Sequence, residues 1–95
     1  MSDTNVNYLD VPQSISTGVS LNVEGAQDMW YQAVGTFTAT VNIDGSLNGA
    51  DWVQLVAAVA PGSIVQIPEK VRYLRANVAA YTSGTPQVLV LTYTP

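Results

Sequence analysis

The 95-residue chain contains no cysteine and no histidine. Disulfides, thiol nucleophiles, histidine triads and zinc sites with nitrogen or sulfur ligands therefore lie outside its chemistry. Charge is scarce as well: three Lys and Arg against seven Asp and Glu make 11% in all, less than half the roughly 25% of an ordinary soluble domain. Ser, Thr, Asn, Gln and Ala take the vacant places, giving a surface that loses little hydration when another protein covers it. No stretch approaches the roughly 18 apolar residues of a membrane span, and Met1 to Asn5 has neither the basic nor the apolar part of an export signal. The expectation is a soluble chain made in a cytoplasm. A net charge of −4 argues against nucleic acid and anionic membranes as partners.

The residues that remain offer little to catalysis. The acidic side chains are dispersed, and Asp44 and Asp51 flank a turn with no apolar pocket to raise a carboxyl pKa. Serine chemistry would need Lys70 as its base, but Lys70 sits beside Glu69 in a loop, where a lysine keeps its solvated charge. No glycine-rich strand-to-helix turn is present to cradle phosphate. The reading is of a protein that is not an enzyme and carries no cofactor. The charges are unevenly placed: Lys70, Arg72 and Arg75 are the only cations, so residues 1–51 carry −6 and the rest +2. Such polarity would align neighbouring subunits head to tail.

What the chain does have is β-forming side chains, 14 Val, 4 Ile and 9 Thr among 47% hydrophobic residues. The length allows one domain with a sizeable core. Residues 1–14, polar and interrupted by Pro12, suit an N-terminal arm or edge strand, with residues 15–95 as a single domain. Val19 to Val23 alternates as a strand, and Met29 to Val34 follows a turn. After Gly35, Phe37, Ala39, Val41 and Ile43 line one face and Thr36, Thr38, Thr40 and Asn42 the other. Asn48-Gly49 suits a hairpin turn, and Asp51 to Val59 returns as a strand. Ile64 to Ile67, Val71 to Val78 and Gln87 to Thr94 complete the set, with 81–86 as a loop. The last strand is apolar on both faces, which predicts that both are covered. Seven or eight short strands with turns every 8 to 12 residues predict an all-β antiparallel sandwich or jelly roll.

Two groups of side chains bear on ligands. Asp44, Ser46, Asn48 and Asp51 overlap the start of an oxygen-ligand calcium loop. Its twelfth position, however, is Leu55, where a bidentate carboxylate belongs, and a plain β-turn accounts for the same residues. The aromatics Trp30, Tyr31, Trp52, Tyr73, Tyr81 and Tyr93 would stack on sugar rings if several shared one surface. Packing in the core or at an interface is the commoner use. Trp30, Tyr31, Arg72 and Arg75 are the interface candidates, because large aromatics and arginines carry much of the energy of protein contacts.

The threonine-rich strand from Gly35 to Ile43, the hairpin Gly45-Ser46-Leu47-Asn48-Gly49-Ala50-Asp51-Trp52, the strand Arg72-Tyr73-Leu74-Arg75 and Ser83-Gly84-Thr85 together resemble a known module. It is the short β-sandwich of tailed-bacteriophage virion proteins, above all the capsid decoration, or cement, proteins. The hairpin and the arginine strand are also similar to discoidin-like jelly rolls, which bind sugars or lipids and are longer and often disulfide-linked. The decoration-protein resemblance implies a non-catalytic structural protein of the virion. It would be a homotrimer bound to the major capsid protein or another virion protein, stabilising the shell. A neck, tail or baseplate module and a small carbohydrate-binding domain are the alternatives. An N-terminal arm able to span up to about 45 Å would dock on a neighbour by strand addition or wrapping.

Overall fold

A computed structural model describes residues 3–95, and among them it contains strands and connections but no helix. The strands are β1 (Asp3–Leu9), β2 (Leu21–Asn22), β3 (Asp28–Val34), β4 (Phe37–Ser46), β5 (Val53–Val56), β6 (Ile64–Ile67), β7 (Tyr73–Gly84) and β8 (Gln87–Thr94). They form two four-stranded sheets in the orders β1-β8-β3-β6 and β2-β7-β4-β5, every ladder antiparallel. The pairings β1 with β8, β2 with β7, β3 with β6 and β4 with β5 run from the chain ends inward and alternate between the sheets. That is the jelly-roll arrangement, a long antiparallel ribbon rolled until its successive pairs face one another.

The alternation in the sequence becomes the core. From the first sheet, Leu9, Met29, Tyr31, Ala33, Val88 and Val90 turn inward and are buried. From the second, Val41, Ile43, Leu74, Ala76 and Val78 meet them, none more than 1% exposed. Burying each large aliphatic side chain contributes about 1.5–3 kcal/mol relative to leaving it in water. The result is a slab with principal extents of 43 × 29 × 17 Å.

Three segments depart from the simple alternating pattern. The strand expected over 19–23 contracts to Leu21–Asn22 and leaves Val19 73% exposed. The preceding chain is drawn onto β7 instead, through Gly18 N donating to the Ala76 carbonyl and Val78 N to that of Ser16. The strand expected over 51–59 ends at Val56. Ala58 takes a positive φ of 51°, its N–H donates to Asn42 Oδ1, and Val59 N donates to the Val41 carbonyl, which swings Val59 into the core. Residues 81–84, expected in a loop, continue β7 through pairing with Phe37, Thr38 and Ala39. Gly84 makes this possible: at φ 95° it approaches Phe37 so closely that a Cβ would strike that residue's backbone.

The N-terminal segment is an edge strand over Asp3–Leu9, paired with β8 at seven consecutive positions without a register shift. Met1 and Ser2 of the expected 1–14 arm lie outside the described residues. From Asp10 the chain crosses to the second sheet, held by Asp10 Oδ2 accepting from Val19 N at 2.8 Å.

Candidate assembly surface

The outer faces of the two sheets differ in chemistry. Ladder register puts Tyr8, Leu89, Gln32 and Ile64 in one row across the first sheet, and Val6, Leu91, Trp30 and Gln66 in the next. A third row ends the face with Thr4, Tyr93 and Asp28. Asp3 and Asp28 are the only charged residues in the four strands of this sheet. Val6, Trp30, Gln32, Ile64, Leu89 and Leu91 line a shallow groove of about 440 Å³. Val6 is 57% exposed, Tyr8 64% and Ile64 69%. Continuous apolar surface of this kind is uncommon on the outside of a folded domain and makes this face the candidate contact site. The two-faced apolarity of β8 is thus half satisfied within the chain. Val88 and Val90 are buried, while Leu89 and Leu91 face out under only partial cover.

On the second sheet the outer face closes upon itself. Asp44 on β4 lies opposite Arg75 on β7, and its Oδ2 accepts from Arg75 Nε and Asn77 Nδ2, both at 3.2 Å. Trp52, just before β5, stacks on the guanidinium of Arg75, 4.2 Å from ring centroid to Cζ. Pinned beneath this cover, the Asp44 side chain is 6% exposed and that of Arg75 23%.

The residues singled out in the sequence are therefore distributed over separate places. Trp30 stands on the open face of the first sheet, whereas its neighbour Tyr31 points into the core at 7% exposure. Arg75 is engaged with Asp44 and Trp52. Arg72 pairs with Glu24 on the surface at 3.0 Å, both side chains about half exposed. These two ion pairs join cations of the second half of the chain to acids of the first, so much of the charge separation seen along the sequence is neutralised within the chain itself.

The four oxygen-bearing residues of the 44–51 loop divide likewise. Asp44 serves β7, while Ser46, Asn48 and Asp51 bind one another. Ser46 Oγ donates to Asn48 Oδ1 and accepts from the N–H groups of Asn48 and Gly49. Asn48 Oδ1 accepts from Ala50 N and Asp51 N, and Asn48 Nδ2 donates to Asp51 Oδ2. Together with Gly49 at φ 77°, these bonds build the hairpin turn that Asn48-Gly49 foreshadowed. Among the described residues, no group of three or more Asp or Glu side chains comes together as a metal site.

By sequence the chain matches no family model and no curated protein. By structure it is similar to a phage-derived chain. The crystal structure of the SPBc2 prophage-derived protein YomS superimposes with a TM-score of 0.79, over 99% of this chain and 96% of that one, at 9% identity. The two share the fold from end to end. Val6, Gln32, Ile64, Leu89 and Leu91 belong to the open face without having been candidates in the sequence. A tally of charge strand by strand would not have found them, because β2, β4, β5 and β7 also hold two charged residues, Asp44 and Arg75; what separates the sheets is the register that sets those two against each other.

Proposed function

We propose that the chain is a non-catalytic structural protein of a phage virion, a decoration module that covers part of the capsid shell and stabilises it. The observation that carries this reading is the apolar, nearly charge-free outer face of the β1-β8-β3-β6 sheet. A shell protein covering that face would remove apolar area from water without stranding a charge, and many copies need only modest affinity each. The end-to-end likeness to a prophage-derived protein supports the phage setting, as does the resemblance of the threonine-rich strand and the hairpin to decoration proteins. The copies act as a homo-oligomer on the lattice.

The test is to fractionate virions of the phage that encodes the chain into heads and tails and locate the protein by mass spectrometry. A deletion strain is then heated beside the parent. Protein in the heads and earlier loss of infectivity in the deletion strain are expected. Protein confined to tails would move the role to the neck, tail or baseplate, and its absence from virions would overturn the reading.

A further inference from the structure

The four edge strands of the two sheets are unequally protected. β2 is two residues long, β5 is four residues with a register shift beside it, and β6 is four residues closed off by Pro68. Short length, bulges and proline are the devices that keep sheet edges from pairing with other chains. β1 has none of them. It is seven residues long and keeps one register with β8 throughout, and between Asp3 and Leu9 there is no proline, lysine or arginine. Along its other side no strand pairs with it among the described residues. Thr4 to Tyr8 are all exposed, so side chains on both faces of the strand reach solvent.

We infer that β1 is a pairing edge for β1 of a second copy of this chain, joined antiparallel about a two-fold axis at Val6. The strand is suited to its own copy because Asn5-Val6-Asn7 reads the same in both directions. With Val6 opposite itself, each Asn5 meets Asn7 of the second copy, and each Thr4 meets Tyr8 of the second copy. Carboxamide pairs then line one face, and Val6 against Val6 flanked by threonine–tyrosine pairs lines the other, both favourable cross-strand combinations. The two Asp3 residues end about 20 Å apart along the strands, beyond the Debye length at physiological salt. The two first sheets merge into one eight-stranded sheet, and the rows containing Val6 and Tyr8 run on across the axis. The pairing is a contact separate from the face assigned to the shell, so it stands whether or not the protein is found in virions.

The wild-type mass in solution, measured by sedimentation, is expected to be that of a dimer. Asn5 and Asn7 are exposed, so lysines there leave the subunit fold intact, which an unchanged circular dichroism spectrum checks. N5K/N7K sets lysine against lysine across the axis and is expected to weaken the dimer at least tenfold. N5K/N7E sets each lysine against a glutamate and is expected to restore it. The absence of native cysteine allows a positional test. Val6→Cys is expected to give a disulfide-linked dimer on a non-reducing gel, since opposed strand residues lie within disulfide reach. Thr4→Cys is not, because its copies would be about 13 Å apart. A monomeric or trimeric wild type, an N5K/N7K variant that associates like wild type, or equal cross-linking at positions 4 and 6 would overturn the inference.

Discussion

Removal of the Asp44 carboxylate tests whether the polar cover of the second sheet holds the fold. Asp44→Ala deletes an acceptor that serves Arg75 and Asn77 at once. Each charge-assisted hydrogen bond of this kind contributes about 1.5–3 kcal/mol. Arg75, however, retains 23% exposure and its stacking on Trp52, so water and the ring recover part of the loss. The expected net cost is about 2–3 kcal/mol, below the 3–5 typical of a fully buried pair. For a domain of this size that lowers the melting temperature by about 10–20 °C. Arg75→Met should cost a similar amount, because it leaves the Asp44 carboxylate enclosed with Asn77 as its remaining partner. The decisive quantity is the coupling. In urea unfolding followed by circular dichroism, D44A/R75M should cost at least about 1 kcal/mol less than the sum of the single variants, because it strands neither charge. Additivity within about 0.5 kcal/mol would refute the account, since independent sites behave that way.

Other positions should respond differently in the same unfolding assay. Leu74→Ala, at a fully buried site in β7, should cost about 2–5 kcal/mol, whereas Leu91→Ala on the half-covered outer face should cost less than about 1.5 kcal/mol. Gly18→Ala should destabilise by about 2 kcal/mol or more, because its new Cβ would collide with the Asp10 carbonyl and force the β1–β2 crossing to move. Arg72→Gln should change stability by no more than about 0.5 kcal/mol, since its pair with Glu24 is held in solvent.

Much of the fold was written in local alternation. β6 and β8 begin and end where the sequence places them, and the Phe37 to Ile43 pattern assigns the inner face of β4 correctly. The parts that escaped depend on long-range register. Period-two alternation requires that Trp30 and Tyr31 point to opposite sides but does not say which is inside. That is decided by pairing, which places Trp30 beside Leu91 on the outer face. The bond between Asp44 and Arg75 spans 31 residues and exists because β4 and β7 align those two positions, a fact no local pattern carries. β1 was hard to read for another reason. A strand held by main-chain bonds, with most of its side chains in solvent, needs no hydrophobic pattern and shows none.

The two sheets complete themselves to different degrees, and that difference bears on how the molecule works. On the second sheet the outer polar groups find partners at home: Asp44 with Arg75 and Asn77, Asn42 with the Ala58 N–H, Ser46 with the 48–49 turn. Covering that face would mean dehydrating groups whose bonds are already made, with little gained. On the first sheet Leu89, Leu91, Trp30 and Val6 have no such closure, and what they lack is apolar contact. Partners should accordingly be selected by shape and apolar area rather than by charge, and their binding should change little with salt. Raising the ionic strength should leave binding of the proposed shell partner nearly unchanged, whereas Leu91→Lys, a charge in the middle of the open face, should abolish that binding while the isolated chain stays folded.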